Sequence, residues 1–485
     1  MCSKKLTFLS LSVLLVFSFN LFSQVTLPKI LGHNMVLQQQ KEVPVWGTAS
    51  AGEKISVSFA GQTKTTVADK SGKWSVKLRS MKASFTPREM TIKGTNIIVL
   101  KNILVGEVWL CSGQSNMEYA MRKYSKFQTA VKGNRPPEDD LNTANNPNIR
   151  IFLDRRKYME PSPEHLGWDA AMGRPLVDFS AVGYYFAKDL YAKLHVPIGM
   201  ISAAVPGSRI EPWIQASKMD VAPVMKNGKT LDKLSADDGG SGKFYDTMIQ
   251  PLIPFALKGM LWYQGESNCF LNENIRYAYK LKTLIESWRT DWNDKKMPFY
   301  FVQIAPYNYS ASKDRPLSNE NLPEFWEAQR LALHLKNTNT IAITDLVDSI
   351  ADLHPGYKWE VGRRLSLVAA NKAYGQKNVV CSGPTYQKMK VVNNTIEVSF
   401  SNTGSGLASR NGKPLSWFSI AGADGKFVSA KAEIIDNKVI VSAPEVPHPV
   451  SVRFGWNEAA QSNFINKEGL PAVPFRSDNP WDKLF

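Results

Sequence analysis

The chain has 485 residues, long enough for two or three domains, and its 43% hydrophobic and 21% charged content is that of a globular protein rather than a disordered or fibrous one. The formal net charge is +16, yet the basic residues are dispersed, the densest runs being Arg155-Arg156-Lys157 and Arg363-Arg364. Without a basic stripe interleaved with aromatics, no nucleic-acid partner is expected, and a mild attraction for acidic glycans is the one functional reading the charge leaves.

Lys4 and Lys5 precede an apolar run, Leu6 to Phe22, that closes on Ser23-Gln24. This is the layout of a secretory signal peptide over residues 1–23, so the chain is expected to be exported, periplasmic or secreted. No later stretch reaches the roughly 18 apolar residues of a membrane span. Setting Cys2 aside leaves Cys111, Cys269 and Cys381, which allow at most one disulfide.

From Val25 to Ile103 the pattern is β. Alternating segments such as Lys54–Phe59 and Lys73–Leu78 are separated by turn signals at Ala51-Gly52, Ala60-Gly61 and Ser71-Gly72. Residues 24–103 therefore read as an N-terminal β-domain. From 104 to 375 apolar strand patterns alternate with amphipathic helices. The strands are Leu104–Cys111, Ile149–Leu153, Ile198–Val205, Leu257–Tyr263, Phe299–Ile304 and Thr340–Thr344. Tyr277, Leu281, Leu284, Ile285 and Trp288 share one helix face, as do Val361, Leu365, Val368 and Ala369. Such a texture predicts a mostly parallel α/β sheet covered on both sides. From Gln376 onward β returns, with Asp436-Asn437 placed as a two-residue hairpin loop between Lys431–Ile435 and Lys438–Val441. The tail from Glu468 is rich in proline and reads as a surface strap.

The stretch Leu104 to Met117, LVGEVWLCSGQSNM, decides where the chemistry lies. An apolar strand that stops at a small-residue turn presents Ser115 at the rim of a sheet, where nucleophilic serines are displayed, although the spacing is not that of the G-x-S-x-G elbow. The plainer reading is a serine that caps the following helix. In open parallel sheets ligands bind beyond the carboxyl ends of the strands. Four polar loops fall there: Gln114-Ser115-Asn116, Pro206-Gly207-Ser208-Arg209-Ile210-Glu211, Gln264-Gly265-Glu266-Ser267-Asn268, and Asp345 to Pro355.

A serine needs a base, and the base needs a partner that holds its tautomer. Of the six histidines, His33 and His448 lie in β regions, His195 at a helix end, His334 on a helix flank and His165 in a loop. His354 alone is both on the rim and beside a carboxylate, Asp352. Asp345 and Asp348 are lesser rivals. Gly207 and the Ser115 amide suit an oxyanion hole, and of the side-chain amides Gln264 and Asn268, Gln264 is preferred because it follows its strand directly. Gln114, Asn116, Arg209, Glu211, Glu266 and Asn268 are the candidates for touching substrate. Arg209 would suit a carboxylate, although an ion pair within the protein is the plainer role for Arg209 and Glu211.

At these residues the sequence resembles the sialate O-acetylesterase family of the SGNH-hydrolase superfamily. The matching pieces are GEVWLCSGQSNM (106–117), PGSRIEPW (206–213), WYQGESN (262–268), DLHPGYKWEVGRRL (352–365) and NKEGLPAVPFRSD (466–478). The resemblance implies a three-layer α/β/α catalytic domain over 104–375, with sandwich-like β regions at 24–103 and 376–485. It implies a serine esterase with Ser115 as nucleophile, His354 as base and Asp352 as acid. Gly207 and Gln264 match the oxyanion positions, the partner is an O-acetylated sugar, and neither metal nor cofactor is needed. No histidine or cysteine cluster has ligand spacing either. Two features depart from the wider pattern: Pro206 stands where a second glycine is expected, and the acid and base are two residues apart, the shorter form found in the narrower family. Rival readings are an esterase for acetyl-xylan or pectin and a carbohydrate-binding protein without turnover. Nothing in the sequence speaks to oligomeric state.

Overall fold

The computed structural model describes residues 24–123, 140–154, 167–219, 240–313 and 316–481. The expected signal peptide, His165 and the Arg155-Arg156-Lys157 run lie outside them. The centre is a sheet in the order Thr338–Ile341, Phe299–Val302, Gly259–Tyr263, Ile97–Gly113, Ile198–Ala204, Asn145–Asp154 and Trp168–Met172. Every pair along it is parallel except the last. All six expected strands are present, and only the one expected at Leu104–Cys111 departs from its expected ends by more than a few residues.

Register shows how the layers form. Trp109 pairs with Gly259, whereas Trp262 pairs with Ser112, so the two indoles project from opposite faces. Trp109 meets Phe186 of helix Ala181–Leu194, and that helix packs on helix Lys358–Val368. Trp262 meets Trp288 of helix Asn274–Asp291, which packs on helix Asn321–Leu331. A sheet covered on both faces must be apolar on both, which is why Val108 to Cys111 is fully buried without alternation.

Strand Ile97–Gly113 is longer than the sequence suggested. Its first half pairs with Ser84–Lys93 and with Val36–Gln38, and its second half belongs to the parallel sheet. The expected boundary between 103 and 104 thus falls inside one strand, and a single apolar core runs across it from Val25 to Ala369. A second core, Ile396 to Phe475, lies between two four-stranded antiparallel sheets. Asp436 and Asn437 both have positive φ, 50° and 60°, as a two-residue hairpin turn demands. The tail is not a surface strap: Leu470, Ala472, Val473 and Phe475 are buried, and Phe475–Arg476 pairs with Ser451–Phe454. Pro471 and Pro474 lie among these residues, yet Pro471 still pairs opposite Ile465 and the Ala472 N–H donates to the Phe464 carbonyl at 2.9 Å. Cys111, Cys269 and Cys381 are free thiols.

Candidate active site

Strand Ile97–Gly113 ends where two neighbours close on it. Gly113 has φ 141°, and a Cβ there would stand 2.1 Å from the Tyr263 carbonyl oxygen, so only glycine permits this approach. Gln114 is then the N-cap, and Ser115 opens the short helix Ser115–Glu118 as its first helical residue. Ser180 Oγ anchors that helix by donating to the Met117 carbonyl at 2.6 Å. Ser115 Oγ does not cap; it lies 2.8 Å from Nε2 of His354, across 239 residues of sequence.

His354 sits in the loop between strand Thr338–Ile341 and helix Lys358–Val368. Its backbone N–H donates to Asp352 Oδ1 at 2.9 Å, which fixes the two residues against each other. Burial holds the imidazole below its ordinary pKa, the Lys358 and Lys123 charges add to this, and Asp352 opposes it. A neutral ring can accept the serine proton at neutral pH. The rival acids are engaged elsewhere. Burial alone would raise the carboxyl of Asp345, but Arg364 and Arg410 outweigh it and hold it at about 2. Asp348 accepts the Tyr357 hydroxyl at 2.7 Å. Arg363 and Arg364 both bond Glu360, so this basic run serves the fold.

Gly207 follows strand Ile198–Ala204, is exposed, and has φ 71° with open space on its Cβ side. Its carbonyl accepts the Ser267 hydroxyl at 3.0 Å, tying this loop to the one after Gly259–Tyr263. Gln264 is placed differently from the expectation. Its Nε2 donates to Asn268 Oδ1 at 2.7 Å and to the Ser208 carbonyl at 3.2 Å, while its oxygen accepts the Tyr277 hydroxyl at 2.9 Å. Both amide hydrogens are engaged, so Gln264 holds loops together and has none left for an oxyanion.

The expected substrate-contacting residues are buried as well. Asn116 and Asn268 are 0% exposed, Glu266 1%, Gln114 2%, Glu211 4% and Arg209 9%. Glu211 and Glu273 each accept from Lys280 Nζ at 2.6 Å, and Asn268 donates to both carboxylates. Arg209 lends its charge to Glu211. Gln114 packs its amide 3.2 Å from Gln264 Nε2. Polar loops that pack edge to edge must satisfy one another, and amides beside carboxylates do so, leaving little surface for a sugar.

One residue of the site was missed. Lys358 is 1% exposed, and its Nζ donates to Asn116 Oδ1 at 2.7 Å and to the Pro355 carbonyl at 2.6 Å. Asn116 Nδ2 in turn donates to Glu266 Oε1 at 2.5 Å and to the Leu353 carbonyl at 2.9 Å. The available signal was its position at the start of a helix four residues after His354.

Among the described residues no group of three or more His, Cys, Asp or Glu could hold a metal ion, and no helix is long and apolar enough to cross a membrane. The three-layer fold, with a serine and an imidazole paired at the strand ends, is that of a carboxylic ester hydrolase. Residues 105–369 match the family of carbohydrate esterases described as sialic acid-specific acetylesterases, and the chain belongs to that family. It is 28% identical over 399 residues to the sialate O-acetylesterase of Homo sapiens, covering 75% of this chain and 73% of that one. The rat enzyme of the same name is also 28% identical, over 422 residues. A carbohydrate acetylesterase from Xanthomonas citri superposes with a TM-score of 0.81 at 34% identity, covering 94% of this chain and 100% of that one.

Proposed function

We propose that the chain is an exported serine esterase that removes O-acetyl groups from sialic acids through an acetyl-enzyme. Ser115 Oγ attacks the acetyl carbonyl carbon while His354 Nε2 takes its proton. Asp352 supports the imidazolium, and the N–H groups of Ser115 and Gly207 receive the oxyanion, each worth about 3 kcal/mol. Collapse of the tetrahedral intermediate breaks the bond to the sugar oxygen, which takes the proton from His354. Water, deprotonated by the same imidazole, then cleaves acetyl-Ser115 and releases acetate.

The observation that carries this reading is the 2.8 Å contact between Ser115 Oγ and His354 Nε2 in a chain of this family. The sialate reading draws support from the curated relatives, whose names specify that substrate. A second reading, an acetyl ester on another glycan such as xylan or pectin, draws support from the likeness to the Xanthomonas citri carbohydrate acetylesterase, whose name does not specify sialic acid. Export draws support from the Lys4-Lys5 and Leu6 to Phe22 pattern.

Acetate release should be measured from O-acetylated sialic acid, acetyl-xylan and acetylated pectin, with Ser115→Ala alongside. Turnover of the sialate ester and its loss by about 10⁴-fold or more in Ser115→Ala are expected. Activity that survives the substitution would remove the mechanism, and preference for xylan would select the second reading. N-terminal sequencing of protein recovered outside the cytoplasm should begin near residue 24.

A further inference from the structure

We infer that Lys358 is a positioning residue for the esterase reaction: with Asn116 it stitches the loop that carries His354 to the turn that carries Ser115, and its ammonium keeps the imidazole free to accept a proton. This rests on the Ser115–His354 reading above. The two peptide carbonyls that flank His354 belong to Leu353 and Pro355. Asn116, the residue next to Ser115, holds the first at 2.9 Å; Lys358 holds the second at 2.6 Å; and Lys358 donates to Asn116 at 2.7 Å. The three bonds join the backbone on either side of the base to the residue beside Ser115, so the His354 loop cannot shift against the Ser115 turn without breaking one of them. Near-attack geometry depends on tolerances this small.

The same placement gives the ammonium an electrostatic role. It lies over the rings of Tyr119 at 4.7 Å and Tyr263 at 5.5 Å, shielded from water. The charges that face His354 are Asp352 from its own loop, Lys358 from the following helix and Lys123 from beyond the Ser115 helix. Those that face Lys358 are Glu266 through Asn116, Asp352 and Lys123. Burial pushes the Lys358 ammonium down to about 7, so it titrates in the range where His354 works, and the two cations disfavour one another. Lys358 thus opposes the protonation of the base that Asp352 favours.

The test is the pH dependence of kcat/KM on 4-nitrophenyl acetate for the parent, Lys358→Met and Lys358→Arg, per site titrated with a serine-directed organophosphate. Titration removes unfolded protein from the comparison. Lys358→Met should move the acid limb up by roughly one unit and lower kcat by about ten- to a hundred-fold with KM little changed. Lys358→Arg, which keeps the charge, should return the limb toward the parent. An unmoved limb would overturn the inference, whether kcat falls, as packing alone would make it, or stays within about threefold of the parent. If Lys358→Met yields no titratable protein, Lys358→Gln replaces it with the same readings. Ser115→Ala separates the two levels: activity without Ser115 sinks the esterase reading itself, whereas an inactive Ser115→Ala beside an unaffected Lys358→Met sinks only the role of the lysine.

Discussion

Two buried clusters below the rim are built from the same parts, one lysine, one asparagine and glutamate, and they treat charge in opposite ways. In the first, Lys280 touches Glu211 and Glu273 directly, both at 2.6 Å. In the second, the Asn116 amide stands between Lys358 and Glu266. Burial works against the Glu211 carboxylate, but the adjacent ammonium overrides it and holds the group below its ordinary value. Burial prevails in the other cluster, raising Glu266 and lowering Lys358 to about 7. A direct ammonium contact keeps Glu211 charged, though it does not outweigh burial at Glu273, whereas the interposed amide leaves Lys358 to titrate near 7. The fixed cluster ties the Gly207 loop to the helix Asn274–Asp291, with Asn268 Oδ1 accepting the Ile210 N–H at 3.0 Å. The adjustable one lies beside the base.

The largest effect that would sharpen this contrast is the loss of Lys280. Lys280→Met leaves two buried carboxylates without a counter-charge, and unfolding free energy should fall by about 3–5 kcal/mol. Urea denaturation at neutral pH measures it. A loss below about 1 kcal/mol would mean that the cluster is solvated and not the fixed pair described here.

The second prediction concerns Lys358 and its pH window. Its folded pKa of about 7 is depressed below the unfolded value of about 10.4, so between those values the unfolded chain binds more protons. Stability contributed by this group therefore rises with pH through the window, and the cost of burying the ammonium is greatest below it. Relative to Lys358→Met, the parent should gain about 1–2 kcal/mol between neutral pH and about pH 9. Parallel stability profiles for the two proteins would break the contrast.

Much of this was legible in the sequence, for identifiable reasons. Parallel strands buried on both faces read as unbroken apolar runs, and their carboxyl ends mark the rim, so Ser115 and His354 could be named together. Continuity of strand Ile97–Gly113 was hidden because Lys101-Asn102 looks like a break. Asn102 instead adopts φ 58° inside the strand, next to a register shift. Gln264 was misjudged because strand-end logic cannot see that Asn268 Oδ1 and the Ser208 carbonyl would claim its amide hydrogens. Lys358 was passed over because a lysine at a helix start ordinarily reaches water. The rings of Tyr119, just past the Ser115 helix, and of Tyr263, at the end of its strand, lie against the ammonium and help to bury it.

The smallest expected effect tests whether the fixed cluster carries one carboxylate more than it needs. Burial and the neighbouring Glu211 raise the pKa of Glu273, and Lys280 and Asn268 only partly offset them. A folded pKa above the unfolded one makes the ionised group a cost, present at neutral pH and absent once both states are protonated. A glutamine oxygen can keep the bonds from Lys280 Nζ at 2.6 Å and Asn268 Nδ2 at 2.9 Å. Glu273→Gln should then leave the Glu211–Lys280 pair neutral and stay within about 1 kcal/mol of the parent, on the stabilising side. That advantage should shrink as the pH falls through the raised folded pKa of Glu273 toward the unfolded value of about 4.3. Urea unfolding at both pH values reads it, and a loss above about 2 kcal/mol at neutral pH would show that both charges are needed.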